Sequence, residues 1–111
     1  MSFLFFKPKV KEIAPAEAQQ RLKEHAAIIV DVREPDEWRT GHIPGAKHIP
    51  LGDMQQRAEE LLSVLDVIFV CRSGSRSATA AKQFEKAGHS GVASLAGGML
   101  AWQRAGLPVK H

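Results

Sequence analysis

The 111 residues of the chain include 44% hydrophobic residues, which fit one compact domain able to bury a modest core without disulfides or metals. The formal charge of +3 comes from scattered Lys and Arg residues, with no basic helix or aromatic platform of the kind that binds nucleic acid. The apolar runs are only a few residues long, which excludes a membrane-spanning helix. Because a single cysteine cannot form an intramolecular disulfide, we expect a reducing, cytoplasmic location.

Residues 1–10 are expected to form a leader, and residues 11–111 a single domain. The first six residues include four consecutive apolar side chains, yet they lack the positive start, the long apolar centre and the small-residue cleavage site of a signal peptide. The role of the leader stays open between covering a sheet edge and contacting a partner.

The first part of the domain is predicted to alternate strands and helices. Residues 11–13 are predicted to form a short first strand. Pro15 at a helix start, with Glu17 in the first turn, predicts a helix that ends near His25. Residues 26–32 (AAIIVDV) are an apolar, β-branched run of the length typical of a buried strand.

The next stretch predicts a short helix, an edge strand and a longer helix. Residues 34–41 carry proline at a first helical position, acidic residues in the first turn and glycine at the end, as a short helix does. Residues 46–49 follow a glycine break and are predicted to form an edge strand. Asp53 with Gln56 is a candidate capping box, and apolar residues then recur at the spacing of a core-facing helix. These apolar residues are Met54, Ala58, Leu61, Leu62 and Leu65.

Residues 67–77 (VIFVCRSGSRS) carry the strongest signal in the chain. Their apolar start predicts a strand covered on both faces of a parallel sheet. That strand brings Cys71 to its carboxyl end, which is where open α/β sheets place their chemistry. Residues 77–87 are predicted to form the next helix, with Ala80 and Phe84 on its buried face.

The chain is predicted to end with one more strand and helix. Residues 92–95 form the last strand of the prediction, and a helix opens at residues 97–98 and closes at Gly106. Strands that alternate with helices imply a parallel sheet with right-handed crossovers and helices on both faces. The predicted fold is therefore an α/β domain.

The surroundings of Cys71 favour a reactive thiol. A lone cysteine at the end of an apolar strand is more often a structural core residue. Here, however, the thiol faces a helix N-terminus, whose free N–H groups and positive dipole end favour an anion. Arg72 and Arg76 add full positive charge, and Gly74 lets the loop adopt backbone angles closed to other residues. The thiolate is the nucleophilic form of cysteine, so the loop predicts a nucleophile.

This loop resembles the active-site loop of the rhodanese family, which has a cysteine at this strand end, a Cys-Arg-Xaa-Gly-Xaa-Arg pattern and a following helix. Two further stretches resemble signatures of the same family. They are residues 29–34 (IVDVRE) with 37–38 (EW) and 41–46 (GHIPGA) upstream, and residues 97–102 (GGMLAW) downstream. The motifs stand in the family's order, and the resemblance runs from about Ile13 to Pro108.

The resemblance implies a single-domain rhodanese-like fold, with a mostly parallel five-stranded sheet and helices on both faces, and the activity of a thiosulfate sulfurtransferase. Cys71 would take the outer sulfur of thiosulfate as a persulfide and pass it to cyanide or to a thiol, including the thiol of a protein acceptor. This chemistry needs no metal and no organic cofactor. The implied donor-binding residues are Arg72, Ser73, Gly74, Ser75 and Arg76, and the implied supporting residues are Asp31 and Arg33.

Two alternatives stay open at this point. Cysteine phosphatases and arsenate reductases that resemble this fold have five residues between cysteine and arginine, whereas four lie between Cys71 and Arg76. A tighter ring of amides suits one sulfur atom, so we expect negligible hydrolysis of aryl phosphates. The second alternative is a rhodanese-like module that only binds a partner or carries sulfur to one specific protein. The retained Cys71 disfavours a purely structural module and leaves the dedicated carrier open.

The histidines and tryptophans have simpler explanations than catalysis. The five histidines show no metal-ligand spacing, which disfavours a zinc site. His42 is expected to be a turn residue that hydrogen-bonds locally. Trp38 and Trp102 are predicted to be core residues, and Trp102 with Met99 is also a candidate for the apolar rim of a pocket.

Overall fold

The computed structural model describes residues 10–61 and 66–111. Residues 1–9, which make up most of the predicted leader, lie outside the described residues, as do Leu62 and Leu65 of the predicted core-facing helix. No helix within the two described ranges is long and apolar enough to cross a membrane.

Strands and helices alternate along the described chain. The strands are β1 (Glu12–Ile13), β2 (Ala27–Asp31), β3 (Lys47–His48), β4 (Asp66–Val70) and β5 (Val92–Leu95). The helices are α1 (Pro15–Lys23), α2 (Pro35–Arg39), α3 (Met54–Arg57), α4 (Ser75–Lys86) and α5 (Gly98–Arg104), and 3₁₀ turns at Leu51–Asp53 and Ala58–Leu61 flank α3.

The five strands form one parallel sheet in the order β1-β5-β4-β2-β3. Helices α3 and α4 contribute to the hydrophobic cluster on one face of this sheet, and α1 and α5 contribute to the cluster on the other. Because parallel strands end at the same edge, the loops after β2, β4 and β5 meet there. The predicted five-stranded α/β fold with helices on both faces is confirmed.

One large aromatic residue anchors each of the two helices beside the candidate loop. Phe84 of α4 is buried and packs edge-on against Phe69 of β4, with ring centroids 5.8 Å apart. Trp102 of α5 is fully buried, and its Nε1 donates to Pro108 O at 2.8 Å. Burial of each such ring stabilises the fold by roughly 2 to 3 kcal/mol. Trp102 is thus the predicted core residue, and since Met99 is buried beside it, neither forms an exposed pocket rim.

Trp38, in contrast, is not the core residue that we expected. Helix α2 has only five residues, and none of them is buried. The indole instead stacks on two imidazoles, with its centroid 3.6 Å from that of His42 and 4.7 Å from that of His48. His42 Nδ1 lies 3.0 Å from Trp38 O, so the local hydrogen bonding expected of His42 is confirmed.

Two helix boundaries also differ from the prediction. Helix α4 begins at Ser75 rather than at residue 77, because Gly74 takes a left-handed conformation (φ 117°) and turns the chain directly into the helix. The predicted core-facing helix consists of α3 and its flanking 3₁₀ turns as far as Leu61. Asp53 makes no capping hydrogen bond there. A capping box is present instead at the start of α2, between Glu34 and Glu37.

Helix α5 fixes the backbone of the candidate loop. Its first amides donate to that loop, Met99 N to Cys71 O at 2.8 Å and Leu100 N to Arg72 O at 3.1 Å. This approach requires glycine at position 98, because a Cβ there would lie 2.5 Å from both carbonyl oxygens. Gly98 also has a positive φ of 59°, which is unfavourable for other residues.

Replacing Gly98 with alanine tests this contact, and Gly106→Ala is a matched control. Gly106 also has a positive φ (73°), but a Cβ there would meet nothing within 4 Å. We expect Gly106→Ala to cost about 1 to 2 kcal/mol for the left-handed backbone alone, and Gly98→Ala to cost about 1 to 3 kcal/mol more for the added overlap. Urea unfolding of both variants measures the difference. Equal losses would mean that the contact between α5 and the loop is not tight.

Candidate active site

The candidate site lies at the carboxyl edge of the sheet, where β4 ends and α4 begins. Cys71 directly follows β4, a strand with a neighbour on each side, and its side chain is 1% exposed. The three residues after it, 72–74, connect Cys71 to the start of α4. Cys71 thus occupies the place predicted for it, at the end of a central strand and against a helix N-terminus.

Several hydrogen-bond donors surround the sulfur. The backbone amides of Gly74 and Ser77 donate to Cys71 Sγ at 3.1 Å and 3.3 Å. The hydroxyl oxygen of Ser77 lies 3.4 Å from the same sulfur. Ser77 itself is fully buried. The loop therefore folds around its own cysteine and directs N–H groups at it.

These contacts decide the acid strength of the thiol. Burial raises the pKa of Cys71, because it disfavours the charged form. Hydrogen bonds from the Ser77 hydroxyl and from the amides of Ser77, Gly74 and Ser73 act in the opposite direction, and they leave the pKa of Cys71 below that of an ordinary cysteine. A larger fraction of the cysteine is therefore in the nucleophilic thiolate form near neutral pH.

The carbonyl groups of the loop point away from the sulfur. Cys71 O and Arg72 O accept hydrogen bonds from α5, while Gly74 O accepts from Ala78 N at 3.1 Å and from Ser77 Oγ at 3.2 Å. With their carbonyls engaged elsewhere, the peptide units can present N–H groups to an anion inside the loop. The loop is built to hold negative charge.

Arg76 is paired with Glu37 of α2. Two hydrogen bonds join them, Arg76 Nη1 to Glu37 Oε1 at 2.7 Å and Nη2 to Oε2 at 2.9 Å. The bond from Arg76 is the main cause that lowers the pKa of Glu37 from 4.5 to about 2, against the opposing effect of burial. Glu37 raises the pKa of Arg76 in return. Glu37 Oε1 also accepts from Glu34 N at 3.0 Å, so one carboxylate caps α2 and holds the arginine of the loop.

Arg72 has a different environment from Arg76. It is exposed, and within residues 10–61 and 66–111 its guanidinium takes part in no ion pair. Ser73 and Ser75 are also exposed at the loop surface, and Gly74 is half-buried between them. Of the two arginines predicted to meet a donor, only Arg72 has its charge uncompensated by a carboxylate in the described part of the chain.

The predicted supporting residues form a buried ion pair after β2. Asp31 and Arg33 are 0% and 5% exposed. Arg33 Nη2 donates to Asp31 Oδ2 at 2.8 Å and to Gly41 O at 2.7 Å. Val32, between them, donates its backbone amide to Val70 O at 2.9 Å. This arrangement joins the end of β2 to the residue just before Cys71, which fits a bracing role.

Two residues of the site were not among the predicted ones. Ser77 was assigned to the helix alone, although its position in a loop that turns back on Cys71 lets both its amide and its hydroxyl reach the sulfur. Glu37 belongs to the motif at residues 37–38, but its pairing with Arg76 spans 39 positions of sequence. Its spacing of three from Glu34 indicates a capping box and gives no sign of the second partner.

No group of three or more His, Cys, Asp or Glu side chains gathers to hold a metal ion in the part of the chain that the structure describes.

Comparison with known proteins extends the match beyond the loop. A family model described as a rhodanese-like domain matches residues 14–105. A sulfurtransferase of Allochromatium vinosum is 38% identical over 101 residues, which cover 90% of this chain and 94% of that protein. The thiosulfate sulfurtransferase GlpE of Pseudomonas aeruginosa is 35% identical over 97 residues, covering 84% of each. Two further relatives, 40% and 37% identical, are longer than this chain, which spans only 54% and 51% of their lengths.

The fold also matches solved structures. The crystal structure of a rhodanese-related protein from Thermoplasma volcanium superposes with a TM-score of 0.82 at 28% identity, covering 90% of this chain and 97% of that one. The family model begins directly after β1 and ends one residue past α5, so the region it matches includes β2 to β5 and all five helices.

The pairing of Glu37 with Arg76 predicts a specific dependence of stability on acid. The pKa of Glu37 is about 2 in the folded protein and 4.5 as its ordinary value. Its stabilisation is therefore fully present above pH 4.5 and is lost as the pH falls toward about 2. Glu37→Gln keeps a capping acceptor but removes the charge. We expect it to be less stable than the wild type by about 1 kcal/mol near neutral pH, since both side chains are partly exposed and solvent screens the pair.

The measurement is urea unfolding of both proteins at several pH values between 2 and 7, and the gap between them should close as the pH falls through this range. Glu60, whose pKa is lowered to about 2 mainly by Arg57, titrates in the same range, so the difference between the two proteins is compared rather than either curve alone. A gap that stays constant with pH would show that the charge of Glu37 contributes nothing.

Proposed function

This chain belongs to the rhodanese family, and we propose that it is a thiosulfate sulfurtransferase that works through a persulfide on Cys71. One observation supports this proposal above all. The side chain of Cys71 is almost completely buried, and yet its sulfur receives hydrogen bonds from the backbone amides of Gly74 and Ser77. Such a site stabilises a negatively charged sulfur, and its burial restricts access to small reagents.

In the first proposed step, the Cys71 thiolate attacks the outer sulfur of thiosulfate. A bond forms between Sγ and that sulfur, the sulfur–sulfur bond of thiosulfate breaks, and sulfite leaves with the bonding electrons. The product is a persulfide whose outer sulfur lies within the loop. The amides from Arg72 to Arg76 are the groups we propose to hold its negative charge.

In the second proposed step, a thiophilic acceptor removes the outer sulfur. Cyanide or a thiolate attacks it, the bond to Sγ breaks, and the electrons return to Cys71 as a thiolate. The product is thiocyanate or the persulfide of the acceptor. No metal or organic cofactor takes part, and the net reaction leaves the protein unchanged.

We propose different roles for the two arginines of the loop. Arg72, exposed and uncompensated in the described chain, would attract the anionic donor and hold the departing sulfite. Arg76, bound through two hydrogen bonds to Glu37, would act mainly by fixing the first turn of α4 and by its field at the sulfur. Ser73, Gly74 and Ser75 would supply backbone amides, and Asp31 with Arg33 would brace the strand ends.

The physiological acceptor in this proposal is a small thiol, cyanide or the thiol of a protein. A dedicated carrier would use the same persulfide and differ only in that its acceptor is one specific protein. Because a relative that is 37% identical bears the name of a putative sulfur carrier protein, a protein acceptor is the second candidate. Both versions need a reduced thiol, which fits the cytoplasmic location expected from the single cysteine.

Cys71→Ser tests the proposed nucleophile. The sequence holds no second cysteine, and a hydroxyl cannot carry the sulfane sulfur, so we expect complete loss of sulfur transfer in a folded protein. Intact mass spectrometry after incubation with thiosulfate should show the mass of one added sulfur on the wild type and none on the variant. Sulfur transfer by purified Cys71→Ser would rule out the proposal.

Arg72→Ala tests the proposed donor contact, and Arg104→Ala is a control that removes another exposed charge, at the far end of α5. We expect Arg72→Ala to raise the KM for thiosulfate about five- to tenfold, which is the loss of roughly 1 to 1.4 kcal/mol. Arg104→Ala should leave the KM unchanged. Similar kinetics for both variants would place the donor away from Arg72.

A further inference from the structure

A polar residue lies inside the sheet directly behind the candidate site. Ser94 is in the middle of β5 and is 0% exposed. It pairs in register with Phe69, and its side chain is on the face of the sheet that carries the cluster of Phe69, Phe84 and Val92. A buried hydroxyl in apolar surroundings is unfavourable unless it is hydrogen-bonded, so its partner is informative.

That partner is Ser77. The two hydroxyl oxygens lie 2.7 Å apart, and within the described ranges this is the only side-chain hydrogen bond of Ser94. Ser77 Oγ in turn lies 3.4 Å from Cys71 Sγ. Three side chains, one from β5, one from α4 and one from the loop, therefore form a continuous buried row that ends at the reactive sulfur.

The number of protons in this row limits which group can donate a hydrogen bond to which. Each hydroxyl has one proton to donate. When Cys71 is a neutral thiol, its S–H can donate to Ser77 Oγ, and the Ser77 proton then points to Gly74 O or to Ser94. When Cys71 is a thiolate, the Ser77 proton is needed at the sulfur, and Ser94 is left to donate to Ser77 Oγ. Gly74 O keeps its hydrogen bond from Ala78 N in that case.

We propose that Ser94 is a positioning residue of the site, whose hydroxyl donates to Ser77 Oγ and thereby directs the Ser77 proton at the Cys71 thiolate. Ionisation of the cysteine reverses the hydrogen bond between Cys71 and Ser77, and Ser94 is then the donor to Ser77 Oγ. A hydroxyl that accepts a hydrogen bond is a stronger donor, so Ser94 strengthens the bond from Ser77 to the sulfur without touching the sulfur itself. This role is independent of the sulfur donor and goes beyond the proposed reaction.

The charged groups near Cys71 are not hydrogen-bonded to Ser77 or Ser94 in the part of the chain that the structure describes. Arg72 and Arg76 are the cations of the loop, and Glu37 compensates the latter. Neither the ion pair nor Arg72 hydrogen-bonds to Ser77 or Ser94 in the described residues. A change at Ser94 thus alters the thiol through Ser77 and leaves the surrounding charges in place.

The test measures the rate of Cys71 alkylation by iodoacetamide as a function of pH, with no sulfur donor present. We expect Ser94→Ala to raise the pKa of the thiol and to slow alkylation below its midpoint by roughly two- to fivefold, as when one hydrogen bond to an ion is weakened but not lost. Ser94→Thr, which retains the hydroxyl, should restore much of the wild-type titration. Ser90→Ala, an exposed serine before β5, should match the wild type.

A double-mutant cycle separates positioning from general loosening of the site. In a Ser77→Ala background, Ser94 has no hydroxyl to act through, so adding Ser94→Ala should not change the titration further. An equal shift with and without Ser77 would overturn the proposal, and so would a Ser94→Ala titration identical to the wild type. Loss of sulfur transfer activity alone bears on the proposed function and not on this inference, because the alkylation curve needs no donor.

Discussion

The site depends on two hydrogen bonds that cross from one helix to the loop of another. Met99 N and Leu100 N donate to the carbonyl oxygens of Cys71 and Arg72, and Gly98 permits this approach because it has no Cβ. These bonds turn the first carbonyls of the loop away from the sulfur. The N–H groups that follow can then converge on Cys71 Sγ. The burial of Trp102 holds α5 in position, so the hydrophobic core of one face orients the chemistry at the sheet edge.

Burial and hydrogen bonding have opposite effects on the pKa of the Cys71 thiol. Burial raises its pKa, and hydrogen bonds from the Ser77 hydroxyl and the loop amides more than offset this effect. The balance depends on groups that are themselves positioned elsewhere: Gly74 by its left-handed backbone and Ser77 by the first turn of α4. A change in any of these positions alters the acidity of the thiol without removing a charge. The acidity of the Cys71 thiol therefore depends mainly on backbone geometry and on the Ser77 hydroxyl.

The order of strands and helices and the place of Cys71 could be predicted from the sequence, because continuous apolar runs mark buried parallel strands and the chain brings the cysteine to the end of one. The partner of Arg76 could not, since Glu37 is distant in sequence and its spacing from Glu34 already has a local explanation. Trp38 was misplaced because residue type favours burial, whereas a helix of five residues offers no buried face. The row from Ser94 to Cys71 exists only once β5 and α4 are packed together.

In the proposed reaction the same sulfur has two tasks, and they place opposite demands on its pKa. It is the nucleophile toward the donor and then the leaving group when the acceptor attacks. A lower pKa increases the thiolate fraction and improves the leaving group, but it also reduces the intrinsic nucleophilicity of the thiolate. Two arginines without a carboxylate partner would lower the pKa of the thiol further, and the thiolate would then be a weaker nucleophile. Glu37 compensates Arg76, so the lowering of the pKa rests mainly on neutral donors, and Arg72 is left to meet the anionic donor at the surface.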